Sequence, residues 1–380
     1  MLRALSSAIT LGLASPVFAS GAPQWRAVDE ATGQIRDVEG LKQLARDFPD
    51  SGTVRLRMLQ PLLAAGEVER VMETLEWLYD RGYVFSDVAQ EQIPKLLEGV
   101  DPGRIAERLR AEAEVIEASE VVATVPAEAG LVENVYSLGH PEVLAVTSIA
   151  TRSVYISVPG GEWQPIPLPQ TNEPSGILLD TNREAIWVSL GNVDGSNEEE
   201  PLFSGLMGII GDFNNSPMLA APEGVTPSDL TMGSDHSLYT SDPIGGGLYF
   251  AKSNDEALKT LIPPGTFRSP QGLVTSKDNS KLYVSDYRYG IAIIDLETRE
   301  ASRLASDIPV ILDGVDGLWR YGNILIAVQN GTSPMRISAF ELSKDGMRVV
   351  GHRVLEQAHS EWTEPLSGCL LYTSPSPRDA

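Results

Sequence analysis

A motif that recurs roughly every 40 to 50 residues constrains the fold of this chain more than any other feature. Its clearest copy runs from Ser269 to Thr298 and reads as about three or four short strands separated by polar turns. Strands this short cannot bury a face alone, so each copy needs neighbours stacked on both sides. A repeat of this length with several strands per copy is typical of the blades of a β-propeller.

Two columns of polar residues mark the successive copies. The first column opens a strand in four copies, at Ser175, Ser228, Gln271 and Asp316. The second column closes the next strand in five copies, at Ser148, Ser189, Ser241, Ser285 and Gln329. The two columns keep the same spacing except where a polar insertion, Gly191 to Pro201, lengthens one copy and maps to a loop.

These columns predict an all-β, six-bladed propeller over residues 131–368. Five blades extend from about Leu131 to about Gln357, and Trp362 to Gly368 reads as the opening of a sixth. The last residues, Cys369 to Ala380, break the pattern and resemble the translation of a sequencing adapter. We therefore expect a non-native tail and a truncated sixth blade; the alternative is a natural Pro/Ser-rich tail. Cys369 is the single cysteine, which excludes an internal disulfide or a thiolate zinc site.

The first 19 residues read as a secretory signal peptide. Arg3 precedes an apolar stretch, Ala4 to Phe18, and a small-x-small cleavage site ends at Ala19. The alternative is a buried first helix. The apolar run is too short to span a bilayer, and no later run is long enough. We expect an exported protein, periplasmic or secreted, without a membrane span.

Residues 38–119 differ from the repeats because their apolar residues have helical spacing. A short N-terminal segment, 20–37, precedes them, and a linker, 120–130, follows. Residues 62–83 resemble a tetratricopeptide-type helical hairpin, and Arg104 to Ser119 predicts a charged helix. This α-helical domain would serve either as a cap that packs on the propeller or as a surface that binds a protein partner.

The acidic charge of the chain limits the classes of partner that it can bind. With 52 acidic against 29 basic residues, the formal net charge is −23, which argues against binding nucleic acid or anionic lipid. Familiar catalytic motifs are also missing: the four histidines lack a metal-binding spacing, and no serine lies in a Gly-x-Ser-x-Gly turn. The chemistry is therefore expected where the blades meet.

The first strand of each propeller blade lines the central channel, so polar residues on these strands converge. The residues expected there are Glu133, Asn134, Ser175, Ser228, Asp229, Gln271, Asp316 and Glu364. A ring of oxygen donors without thiolates suits Ca²⁺, Mg²⁺ or Mn²⁺. The alternative is that these groups cap strand ends and hydrate the channel.

The repeats, with NEPSG, SPQGLVTSKDNSKLYVSD and DGVDGLW, resemble the senescence marker protein (regucalcin)/gluconolactonase family, and more distantly strictosidine synthase-like and NHL-type propellers. The resemblance covers about Leu131 to Gly368. It implies a six-bladed propeller that hydrolyses sugar lactones with one divalent cation, held by Asp316, Glu133 and, where the family has asparagine, Gln271. The context around Glu133 also differs from the family pattern.

Two functions follow as hypotheses. The first is an exported lactonase-like hydrolase in which Asp316 or Asp229 accepts a proton from a cation-bound water, while Asn134, Ser175, Ser228 and Glu364 line the substrate channel. The second is a non-catalytic propeller that binds a protein or carbohydrate, because a fold alone does not decide function.

Overall fold

The computed structural model describes residues 23–28, 30–97, 109, 112–140, 143–158, 161–193, 202–211 and 216–370. The predicted signal peptide and residues 371–380 of the predicted tail lie outside these ranges. Within them, no helix is long and apolar enough to cross a membrane.

In the described residues the strands form five sheets, each with four antiparallel strands consecutive in the chain, and the fifth sheet has one further strand. The first contains β1 (Val132–His140), β2 (Val143–Ser148), β3 (Ser153–Ser157) and β4 (Trp163–Pro167). The second contains β5 (Glu173–Asp180), β6 (Ala185–Gly191), β7 (Gly205–Ile209) and β8 (Met218–Ala220). The third contains β9 (Leu230–Met232), β10 (Leu238–Asp242), β11 (Gly247–Ala251) and β12 (Lys259–Ile262). The fourth contains β13 (Pro270–Thr275), β14 (Lys281–Asp286), β15 (Gly290–Asp295) and β16 (Ala301–Arg303). The fifth contains β18 (Leu318–Tyr321), β19 (Ile324–Gln329), β20 (Arg336–Leu342) and β21 (Arg348–Gln357), and the short strand β17 (Ala305–Ser306) pairs parallel with β21.

The first strands of the five sheets contact one another in the order β1, β5, β9, β13, β18, as the inner strands of propeller blades do. The predicted propeller is therefore confirmed, with five blades in the described residues. Residues 362–370, where the sequence predicted a sixth blade to open, contain no strand.

Both faces of a blade are buried, which explains the nearly continuous apolar strands of the fourth blade. In β14, Leu282 and Val284 pack on the side of the third blade and the helices, whereas Tyr283 faces the fifth blade. The same alternation continues in β15, where Ile291 and Ile293 face the fifth blade. Side chains on both faces thus join each blade to its neighbours.

Five α-helices with defined bounds precede the propeller in the described residues. They are α1 (Glu30–Gly33), α2 (Val38–Asp47), α3 (Gly52–Ala64), α4 (Val68–Tyr79) and α5 (Asp87–Leu96). Asp37, Ser51 and Ser86 cap α2, α3 and α5 by accepting backbone N–H bonds. The predicted helical spacing between residues 41 and 78 is thus confirmed.

The predicted charged helix from Arg104 to Ser119 is wrong over residues 112–119, which form no helix. The backbone N–H and C=O of Ile116 both bond to Gln357, each at 3.0 Å, so this segment pairs with the edge of β21. An unpaired sheet edge offers backbone partners that outweigh helical propensity. Residues 104–108, 110 and 111 lie outside the described ranges.

The helices are anchored to the propeller by Asp313, which lies just before the fifth blade. Its carboxylate accepts hydrogen bonds from the backbone N–H groups of Gly52 at 2.7 Å and Thr53 at 2.8 Å, and from the Ser51 hydroxyl at 3.1 Å. A propeller carboxylate therefore satisfies the free N–H groups at the start of α3 and complements its dipole.

We expect Asp313→Ala to lower the free energy of unfolding by about 2–4 kcal/mol, because it leaves buried helix N–H groups without partners. Urea denaturation measures this change. The exposed Glu297→Ala is the control and should stay within about 0.5 kcal/mol of the wild type. An equal, small effect of both substitutions would contradict the anchoring role.

Candidate channel site

A small cavity lies where the inner strands converge. Its lining residues are Glu133, Asn134, Ser175, Ser228, Asp229, Gln271, Asp316, Gly317, Leu366 and Ser367. A water molecule can centre itself over only about 10 Å³ of it, which is room for about one water or one ion. The structure thus brings together seven of the eight predicted channel residues. Glu364 is outside the lining but close enough to interact with Glu133 and Asp316.

Glycines beside the first column allow the inner strands to approach so closely. A Cβ added to Gly176 would lie 2.7 Å from the backbone nitrogen of Leu230, and one added to Gly272 would lie 2.5 Å from that of Leu318. Instead, the Gly176 and Gly272 N–H groups donate across to Ser228 and Asp316 carbonyls of the neighbouring blades, at 2.9 and 2.8 Å. Neighbouring blades are therefore joined by backbone hydrogen bonds at the axis.

In three blades the residue that follows the first-column position is a glycine, whereas in the other two blades it has a side chain. Asn134 follows Glu133 in the first blade, and Asp229 follows Ser228 in the third. The Asn134 amide donates to the Asp229 carboxylate at 3.0 Å, so the two exceptions to the glycine pattern meet at the axis. The Ser367 hydroxyl donates to the Asn134 carbonyl oxygen at 2.7 Å and closes the cavity on that side.

Three carboxyl groups at the cavity have raised pKa values. Burial, with repulsion from Asp316 and Glu364, raises the pKa of Glu133 to about 7. Burial, with repulsion from Asp316 and Glu133, raises the pKa of Asp229 to about 7. Burial raises that of Asp316 to about 6. No described Lys or Arg forms an ion pair with any of the three, so each disfavours ionisation of the others.

A hydrogen-bonded chain that the sequence reasoning missed orients Asp316. The Asn330 amide donates to its carboxylate at 2.8 Å, and the Tyr287 hydroxyl donates to the Asn330 carbonyl oxygen at 2.9 Å. In the sequence, the available sign of this role is that Asn330 directly follows Gln329, a residue of the second column.

Gln271 and the two column serines complete the ring of oxygen atoms. The Gln271 amide nitrogen donates to the Ser269 hydroxyl at 3.1 Å, which leaves its carbonyl oxygen for the cavity. The Ser175 and Ser228 hydroxyls lie 3.2 Å apart. In the described part of the chain, no group of three or more His, Cys, Asp or Glu side chains lies close enough to hold a metal ion. A cation here would therefore need amide or hydroxyl oxygens beside two carboxylates.

No protein-family model matches the chain, and no curated protein sequence matches it. Solved structures with a similar fold include a virginiamycin B lyase from Staphylococcus aureus, at 18% identity over 62% of this chain and 73% of that one, with a TM-score of 0.46. A streptogramin B lyase matches at 19% identity over 61% of this chain and 71% of that one, with a TM-score of 0.46. A gluconolactonase from Xanthomonas campestris matches at 16% identity over 60% of this chain and 77% of that one, with a TM-score of 0.44. The resemblances to regucalcin and to tetratricopeptide hairpins stay predictions, and the activity has to be argued from the residues of this chain.

We expect Glu133→Gln to become more stabilising, relative to the wild type, as pH rises from 5 to 8. The folded-state pKa of Glu133, about 7, lies above its ordinary value of 4.5, so the folded state binds the proton more tightly. Its favourable contribution is complete below pH 4.5 and is lost as pH rises through about 7, where the wild type must ionise and glutamine does not. Urea midpoints measured across this range in cation-free buffer test the prediction. A difference between the two proteins that does not change with pH would contradict the raised pKa.

Proposed function

We propose that this chain is a lactonase-like hydrolase that uses a divalent cation, Ca²⁺, Mg²⁺ or Mn²⁺, to hydrolyse a sugar lactone or a related ester. The observation that carries the proposal is the cluster of Glu133, Asp229 and Asp316 around a cavity with room for about one ion. No described basic side chain pairs with this cluster, and like-charged carboxylates in such a site favour either protonation or a bound cation.

The donor atoms fit a hard cation. Glu133 and Asp316 would supply carboxylate oxygens and Gln271 an amide oxygen, and none of the described lining residues is a cysteine or histidine. A divalent cation bound there would polarise a substrate carbonyl and lower the pKa of a bound water.

The remaining chemistry would come from the side chains around this cluster. Asp229, with a pKa of about 7, would accept the proton of the attacking water near neutral pH, with Asp316 as the alternative acceptor. Asn134 would hold Asp229 in place, and the Ser175 and Ser228 hydroxyls would bond to substrate oxygens. The negative charge here and on Glu364 favours a neutral substrate over an anion.

We also propose that residues 362–368 occupy the place of the inner strand of a sixth blade. The Ser367 hydroxyl bonds to Asn134 on β1, and a Cβ added to Gly368 would lie 3.7 Å from the Trp319 ring on β18. This segment thus lies between the first and fifth blades. We propose export to the periplasm or beyond as well, on the basis of the signal peptide that the sequence predicts over residues 1–19.

A second candidate is a non-catalytic propeller that binds a protein or a carbohydrate. The channel cavity has room for about one ion, whereas pockets that enclose a small-molecule ligand usually measure about 300–1,000 Å³, so its size favours a partner that binds outside it. The helices are anchored at Asp313, three residues before Asp316 of the channel cavity. In this second function they would form part of the surface that binds the partner.

We expect calorimetry to detect Ca²⁺ or Mn²⁺ binding to the chain, and Asp316→Ala to abolish it, because a site with few protein donors cannot lose a charged ligand. Gln271→Asn should retain binding, since it keeps the amide oxygen. Hydrolysis of glucono-1,5-lactone should follow cation occupancy. Asp345→Ala, on an exposed turn of the fifth blade, is the control. Absence of cation binding would defeat the hydrolase and leave the binding propeller.

We expect Asn330→Ala to weaken cation affinity about tenfold, because residues that orient metal ligands typically contribute about 10- to 100-fold. Tyr287→Phe should have a smaller effect in the same direction, since it removes only the bond to Asn330. Asn323→Ala, in the turn between β18 and β19, should leave affinity unchanged. Equal affinities for all three variants would show that the chain from Tyr287 does not position Asp316.

A further inference from the structure

A groove of about 570 Å³ between the helices and the fourth blade concentrates positive charge. Four arginines line it: Arg36 and Arg57 from the helical side, and Arg268 and Arg288 from the propeller. None of the described residues that line the groove is acidic. The chain as a whole has 52 acidic and 29 basic residues, so this local excess of positive charge opposes its overall composition.

Several other arginines in the described residues are paired with carboxylates. Arg303 bonds to Asp50 at 3.1 Å, Arg152 to Glu173 at 3.0 Å and Arg183 to Asp180 at 2.7 Å. By contrast, the guanidinium groups of Arg268 and Arg288 form no hydrogen bond or ion pair with a described residue. Each guanidinium has five N–H donors and no acceptor, so these two side chains offer unused donors to a ligand.

The other two arginines are fixed in position. The half-buried Arg57 donates to the Tyr289 hydroxyl at 3.1 Å and to the Ile35 carbonyl at 3.0 Å. Arg36 donates to the Gly33 carbonyl at 2.7 Å. Backbone carbonyls orient these two groups without cancelling their charge, so the groove has a preorganised positive wall.

The two walls are close to each other. A Cβ added to Gly33, at the end of α1, would lie 3.6 Å from the Arg268 side chain, which precedes β13. The single proton of the Ser51 hydroxyl is shared between the Asp313 carboxylate and the Arg288 backbone carbonyl, whose oxygen lies 2.8 Å from the hydroxyl oxygen. This contact fixes the turn between β14 and β15 against the start of α3. The four arginines therefore converge because the helices dock on the fourth blade.

We propose that this groove binds a small oxyanion with at least two negatively charged oxygens, as in a phosphate or a polycarboxylate. Planar guanidinium groups match the paired oxygens of both chemistries and form charge-assisted bonds with them. The volume falls in the usual range of about 300–1,000 Å³ for small-molecule pockets. No residue that lines the groove also lines the channel cavity, so this site is separate from the proposed hydrolytic one.

Calorimetric titration of the chain with inorganic pyrophosphate and, separately, with citrate tests this site. We expect binding of at least one of the two, weakened about tenfold or more by Arg268→Gln and by Arg288→Gln, because bonds between charged groups contribute that much. The double variant should abolish binding. Pyrophosphate binding alone would identify a phosphate site, and citrate binding alone a carboxylate site.

Arg353→Gln is the matched control, because this exposed arginine lies on β21 outside the groove and its loss changes the net charge equally. It should leave affinity unchanged, and the melting temperatures without ligand should agree among all variants. Binding should persist in Asp316→Ala, so that failure of the channel proposal does not affect this one. No binding of either probe, or equal weakening by Arg353→Gln and Arg288→Gln, would overturn the proposal.

Discussion

The close approach of the inner strands at the propeller axis is the constraint on which the rest of the structure depends. Gly176 and Gly272 have no Cβ, and their N–H groups bond directly to the next blade. The space left at the axis has room for about one ion, and the side chains of Glu133, Asp229 and Asp316 all line it. Backbone packing thus forces acidic groups together, and their raised pKa values follow first from burial and then from the repulsion between neighbouring carboxyl groups.

Much of the propeller could be predicted because its blades repeat one local pattern. Ser175, Ser228, Gln271 and Asp316 occupy equivalent positions in successive blades, so one repeat predicts their convergence. The roles of these residues cannot be predicted in the same way, since an oxygen that binds a cation and one that only hydrates a channel look alike in sequence.

Features that join distant parts of the chain escaped prediction. The extended segment at Ile116 depends on the free edge of β21, which exists only once the last blade has formed. Likewise, Arg57 lies in α3 and Arg268 lies in the propeller just before β13. They share a groove only because α3 docks on the fourth blade. No local pattern contains this information, whereas the helical spacing between residues 41 and 78 is a local pattern and could be read from the sequence.

The pairing of Ile116 with Gln357 has a consequence for how the protein is made. The Gln357 side chain also donates to the Glu114 carbonyl, 243 residues earlier in the chain, so a segment preceding the first blade completes the last one. Contacts of such sequence separation form slowly because a large loop must close first. During synthesis, the early blades would emerge from the ribosome and wait with open edges until Gln357 follows. The pairing between residue 116 and β21 therefore forms late, and a chaperone that protects open β-edges would act in that interval.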